Sequence, residues 1–365
     1  MYGISIQFDP CPDSAGIAGV HESEIVKGHE IDERNSRFDF LERGFIHPDF
    51  MTESSRLHWS ADLLAFYLGR KLLRRKTPLI ANVKLTYRCN LRCGACPFHR
   101  RAKEPNAHMT WETAVNALSA LRAMGCRLVV FEGGEPLLWR DGPHDFASLA
   151  EFAKKRFLRV AVTTNGTFPI DVPTDIVWVS LDGLKPTHDR LRSDSFDAAW
   201  RNLQAARHPR VLIHFTLNRE NWRDLEGLME VLRGVPAVRG MTVQLFYPYG
   251  QEEIPLALDP KERKAALEAV IRMKRRGCPI LNSEGRLRAM IANTWKCRDD
   301  ILVNVDPDGQ LTQGCYVKSR GRVHCSQCGF TPVAEASGAI DLLPGAIAAG
   351  WRIFLERQPA LVSRS

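Results

Sequence analysis

Six short apolar runs, each trailed by a stretch with helical spacing, limit what this chain can fold into more than any other feature. The runs cover residues 79–85, 128–131, 159–163, 176–181, 211–217 and 241–246, and helical patterns lie near 109–124, 144–156, 186–206, 221–233 and 260–276. Strands that alternate with helices build a parallel sheet, because each helix returns the chain across one face by a right-handed crossover. Spacing alone leaves open whether that sheet stays open or curls into a barrel. In both cases chemistry collects at the C-terminal ends of the strands. With 365 residues, 44% of them hydrophobic and 25% charged, the composition is ordinary for a globular protein. The length supports one large α/β domain and a smaller appendage.

The first strand end carries the most informative side chains. Cys89, Cys93 and Cys96 follow it in the run KLTYRCNLRCGACPFH, a C-x3-C-x2-C spacing. Thiolates gathered this tightly suit a soft metal centre, and a set of three leaves one iron of a four-iron cluster free for a small molecule. Arg88, Arg92, His99 and Arg100 share the loop, and local positive charge favours thiolates. A zinc knuckle completed by a distant ligand is the competing reading, although structural zinc sites use four protein ligands, usually in pairs.

Later strand ends add polar groups. The second ends in Gly133, Gly134, Glu135 and Pro136; two glycines permit close approach of a ligand, and Glu135 could accept hydrogen bonds from an ammonium group. The third offers Thr164, Asn165 and Gly166, which alone would be an ordinary turn. The fourth delivers Ser180 and Asp182, on one side of the strand if it persists that far, with His188, Asp189, Arg190 and Arg192 shortly after. Asn218, Tyr247 and Tyr249 follow the fifth and sixth strands as pocket or packing residues.

The cysteine triplet with a GGEP turn one βα unit later resembles the radical S-adenosylmethionine (SAM) superfamily over about residues 78–250. The resemblance implies a partial (β/α)6 TIM-type barrel with a small C-terminal cysteine-rich extension. It implies a [4Fe-4S] cluster on Cys89, Cys93 and Cys96, and SAM held by Gly133, Gly134, Glu135, Pro136, Thr164 and Asn165. Ser180 and Arg192 would meet the SAM carboxylate, with Asp182 as a polar neighbour. The implied activity is reductive cleavage of SAM to a 5′-deoxyadenosyl radical, with a flavodoxin- or ferredoxin-like electron donor.

Cys297, Cys315, Cys325 and Cys328 form a second group across a hairpin turn at Asp306-Pro307-Asp308-Gly309. On ligand chemistry alone they suit structural zinc or a second iron–sulfur cluster equally. The resemblance favours a SPASM- or twitch-type auxiliary cluster. Cys126 and Cys278 read as core thiols and Cys11 as incidental. Clustered cysteines fit metal ligation in a reducing compartment better than disulfides.

Residues 1–57 are polar and aperiodic, either an irregular extension or, up to Met51, sequence upstream of the biological start. No cationic segment followed by an apolar core opens the chain, and no apolar run approaches the roughly 18 residues that span a bilayer. Residues 58–77 read as a basic amphipathic helix ending in Arg70, Lys71, Arg74, Arg75 and Lys76. Such a helix either packs across the bottom of the main domain or rests on an anionic membrane. The radical SAM core then spans 78–255 and the auxiliary region 256–365, in a cytoplasmic or membrane-peripheral protein.

A narrower resemblance, to the hopanoid-biosynthesis adenosyltransferases, rests on LLRRKTPLIANVKLTYRCN, SLDG…HDR, Cys315-Tyr316 and CSQCGFTP. It implies an isoprenoid or lipid substrate. The loop GACPFH departs from that pattern, and peptide-modifying SPASM relatives are the alternative. Net charge of +8 and a pI near 9.0 also raise a zinc-bearing nucleic-acid-binding protein. That reading lacks interleaved basic and aromatic residues and leaves the GGEP turn without a role.

Overall fold

The computed structural model describes residues 53–248, 251–316, 318, 325 and 328–356. Tyr249, Cys11 and the Met51 start lie outside them. In chain order come α1 (Glu53–Lys71), β1 (Ile80–Thr86), α2 (Pro97–Arg100), α3 (Trp111–Ala123) and β2 (Leu128–Gly133). A small hairpin, β3 (Arg140–Asp141) and β4 (His144–Asp145), leads into α4 (Phe146–Lys154), β5 (Arg159–Thr164), β6 (Ile176–Ser180), α5 (Lys185–Leu191) and α6 (Phe196–Ala205). Next are β7 (Val211–Leu217), α7 (Leu225–Leu232), β8 (Val238–Leu245), α8 (Pro260–Arg275) and α9 (Glu284–Ile291). The C-terminal part holds β9 (Leu302–Val305), β10 (Leu311–Gln313), α10 (Thr331–Ile340) and α11 (Pro344–Phe354).

Local signals place the helices. Thr110 Oγ1 accepts the Thr113 N–H at 3.2 Å to open α3, and the Asp259 carboxylate with Glu262 closes a capping box in front of Pro260 at the start of α8. The stretch 186–206, which reads as one helix, is two. Ser193 and Asp194 take left-handed backbone angles of φ 54° and 52° between α5 and α6, a conformation no helix continues through.

The six expected strands form one parallel sheet in the order β1-β2-β5-β6-β7-β8, and their helices bury its outer face. β9 pairs parallel with β1, and β10 antiparallel with β9, so strands from beyond residue 256 complete an eight-stranded sheet. The run LVNV is too short to stand out as a strand in the sequence. Val303 and Val305 join the outer core while Asn304 turns inward to bond Asn82 and the Gly314 carbonyl. The sheet curls as an open barrel. Val130, Ala161, Ile176, Trp178 and Leu212 meet on its concave side, closed from below by Ile353 of α11. Beyond β8, Ile280 bridges Met241 in parallel, and Gly329 O accepts the Leu245 N–H at 3.3 Å, which brings the C-terminal cysteine region to the barrel's open side.

Candidate active site

The cysteine loop leaves β1 and is clamped to the glycine turn by backbone. Gly134 N–H donates to Thr86 O at 2.7 Å and Glu135 N–H to Arg88 O at 2.9 Å. A Cβ on Gly134 would lie 2.2 Å from Arg88 O, and one on Gly133, whose φ is +123°, 2.5 Å from Thr86 O. One close approach these glycines allow is that of the cysteine loop itself.

Glu135 is fully buried, and its carboxylate is already engaged. It accepts the Leu137 N–H at 3.0 Å, the Thr164 hydroxyl at 2.8 Å and the Asn165 N–H at 2.8 Å. Burial pushes its carboxyl up to about 7 against these three hydrogen bonds. The residue read from the sequence as an ammonium acceptor also braces two strand ends. From the second of these, the Asn165 amide reaches the loop, donating to Asn90 Oδ1 at 2.9 Å and to Cys89 Sγ at 3.7 Å.

Arg192 closes the other side. Its Nε donates to Asp182 Oδ2 at 2.6 Å, while Asp182 Oδ1 accepts the Thr216 N–H at 2.7 Å. Ser180 is buried next to this pair at the end of β6. Ser193, in its left-handed turn, accepts the Arg92 N–H at 3.1 Å. Burial raises the Cys93 thiol and Arg192 lowers it; burial pushes Cys89 up to about 11. The cation that bears most on Cys93 is Arg192, a guanidinium the chain brings from the end of α5 across to the sulfurs.

Among the described residues, no three His, Cys, Asp or Glu side chains converge as the ligands of one metal ion must. The three soft thiol donors of Cys89, Cys93 and Cys96, with Arg192 bearing on Cys93, fit an iron–sulfur cluster. The second group behaves alike. Cys315 and Cys328 bear electrostatically on Cys297, and Lys318 lies near Cys297 and Cys325. Cys297, Cys315 and Cys328 share a small apolar cluster with Phe66, Tyr247 and Phe330. Tyr247 is thus a packing residue, and Asn218 a turn residue whose Oδ1 accepts the Glu220 N–H at 2.9 Å.

A family model described as the radical SAM superfamily matches residues 83–232, the span that contains the clamp, the brace and Arg192. Over that span the chain is similar to the radical SAM superfamily. Fe-coproporphyrin III synthase of Methanosarcina barkeri is 29% identical to it over 206 residues, 53% of this chain and 50% of that protein. AdoMet-dependent heme synthase of the same organism is 24% identical over 288 residues, 70% of this chain and 78% of that one. The first match thus spans only half the relative's length. Streptococcus suis SuiB bound to precursor peptide SuiA superposes with a TM-score of 0.53 at 14% identity, covering 77% of this chain and 68% of SuiB, which is a likeness of fold. Neither relative is named for a lipid.

The inner face of the barrel also holds residues the sequence reading passed over. Lys84 is 0% exposed; its Nζ lies 3.7 Å from Glu132 Oε1, 3.6 Å from Asp306 Oδ1 and 5.2 Å from the centre of the Tyr316 ring. Polar Asn82, Lys84 and Thr86 alternate with apolar Ala81, Val83 and Leu85 along β1. That period of two was the available signal.

Proposed function

We propose that this chain is a radical SAM enzyme that acts on a polar substrate inside its barrel. The observation that carries the reading is the Glu135 brace, which ties the glycine turn and the β5 end to the loop of Cys89, Cys93 and Cys96. These cysteines would hold the [4Fe-4S] cluster. With SAM bound, the cluster supplies a one-electron cleavage of the sulfonium that starts radical chemistry. The chain supplies orientation and charge. Asn165 holds the Cys89 sulfur, and Gly133, Gly134, Glu135, Pro136 and Thr164 fix the wall beside it. Arg192 spends its Nε on Asp182 and keeps its Nη donors for a carboxylate, with Ser180 alongside. Cys297, Cys315, Cys325 and Cys328 would hold a second iron–sulfur cluster. An acidic flavodoxin- or ferredoxin-like donor suits a chain of net charge +8.

The substrate reading follows from the lining. Lys84 faces Glu132 in register and pairs with it and with Asp306, so charged side chains line the barrel above its apolar floor. A hydrocarbon placed there would strip water from the partly exposed carboxylates of Glu132 and Asp306. That weighs against the isoprenoid or lipid expected from the narrower sequence resemblance. A tetrapyrrole bearing polar substituents is the first candidate, in keeping with the names of the two relatives. A peptide is the second, because the half-exposed carboxylates of Glu132 and Asp306 would receive a basic side chain.

Anaerobically purified protein should be brown, with about four irons per site, and with SAM and a reductant should release 5′-deoxyadenosine. Fe-coproporphyrin III, a basic peptide library and a lipid extract would then be compared for a mass change. A colourless protein with stoichiometric zinc overturns the enzyme reading. Modification of the lipid alone overturns the substrate class.

A further inference from the structure

The amphipathic helix α1 is fixed to the body by one face. Asp62 pairs with Arg127, Phe66 is buried with Ile301, Leu302, Cys315 and Phe330, and Arg70 bonds Asp300 Oδ2 at 2.6 Å and Thr77 O at 2.7 Å. These anchors recur every fourth residue, which is one stripe of a helix. Leu64, Leu68 and Leu72 repeat at the same interval on the opposite side and are 59%, 46% and 73% exposed, with Leu73 at 62%. Isolated exposed leucines are ordinary, but Leu64 and Leu68 on the outward side of the helix, with Leu72 and Leu73 just past its end, form a patch.

A second feature says what would cover it. Lys71, Arg74, Arg75 and Lys76 are all exposed directly after the leucines, and none forms an ion pair among the described residues. Asp62 is turned inward to Arg127. An acidic protein would complement the cations and leave the leucines wet. A bilayer with anionic headgroups takes both, apolar side chains at the acyl boundary and cations at the phosphates. We propose that α1 docks this protein on an anionic membrane surface, with the leucine stripe inserted and the basic cluster against the headgroups. The packing of Phe66 on Cys315 places that contact on the side of the second cysteine group.

The test is co-sedimentation of the full chain with vesicles, and it needs neither cluster nor substrate, so it stands or falls apart from the enzymatic reading. The protein should pellet with phosphatidylcholine vesicles containing about one third phosphatidylglycerol, and bind pure phosphatidylcholine about tenfold more weakly. Salt should weaken the binding. The double variant Leu68→Glu/Leu72→Glu, which leaves Phe66 and Arg70 in place, should lose about tenfold while keeping the wild-type circular dichroism. Lys71→Glu with Arg75→Glu should lose as much and abolish the preference for anionic lipid. Failure of the wild-type protein to pellet with anionic vesicles overturns the proposal. Binding that is indifferent to the leucine changes but lost with the cations overturns the inserted leucine stripe, because the contact would then be with the headgroups alone.

Discussion

The two cysteine groups are built on opposite plans. Cys89, Cys93 and Cys96 are neighbours in the chain, and distant segments brace them: Glu135 and Asn165 through side chains, Ser193 through the Arg92 N–H. Cys297, Cys315, Cys325 and Cys328 are scattered in the chain, and closer segments gather them. Asp299 accepts the Cys315 N–H at 3.0 Å and pairs with Lys318 at 2.9 Å, Arg263 donates to Cys328 O at 2.8 Å, and Asn293 donates to Cys325 O. Each region also contains a buried glutamate that burial pushes up to about 7. Glu135 has both oxygens hydrogen-bonded, whereas Glu335 Oε2 has no partner among the described residues. The first site is held by a satisfied carboxyl and the second region by one that is only half satisfied.

The sharpest break between the sites comes from the cysteines. Cys93→Ala should abolish 5′-deoxyadenosine formation and remove about four irons while leaving the second site loaded. Cys325→Ala should lower iron by the same amount yet spare the first cluster's spectrum. If either substitution emptied both sites, the two would be one folding unit. Next in size is Gly134→Ala. Its Cβ would fall 2.2 Å from Arg88 O, a backbone clash no rotamer relieves, so unfolding in urea should show a loss of about 4 kcal/mol or more. A loss below about 1 kcal/mol would mean the clamp yields.

The same contrast explains what was legible in the sequence. The first site could be read because its ligands are contiguous and its glycines fall one βα unit later. Val211–Leu217 matches its expected run end for end, since a long run of β-branched and aromatic residues has one reading. What could not be read depends on pairing across long separations. Nothing in LVNV says that β9 lies beside β1, or that Asp306 at its end meets Lys84. Glu135 was recognised, but nothing in the letter says that it also binds the donors at Thr164 and Asn165. Likewise the leucines of α1 read equally as core, and only the position of Phe66 turns them outward.

The smallest effect separates the two glutamates. Glu335 sits at about 7 in the fold against 4.5 when exposed. Between those values the folded chain holds a proton that the unfolded chain has released, so stability is greatest below about 4.5, falls as pH rises towards 7 and levels off above it. The full span is at most about 3 kcal/mol. Glu335→Gln is neutral throughout. It should flatten that part of the slope and, at pH 8, unfold at higher denaturant than the wild type, because its carbonyl can still accept the Ser283 N–H, 2.7 Å from Oε1, without a buried charge. Glu135→Gln should behave otherwise. Both oxygens face donors, from Leu137 and Thr164 on one and Asn165 on the other, so an amide nitrogen in either place meets an N–H or O–H. It should lose about 1–3 kcal/mol at low pH, where Glu335→Gln keeps its acceptor, and loosen the cysteine loop; the loss should shrink as pH rises towards 7, because burial pushes the Glu135 carboxyl up to about 7 as well. If the two substitutions gave the same change at low pH, the distinction between a satisfied and a half-satisfied carboxyl would fail, and burial alone would govern both.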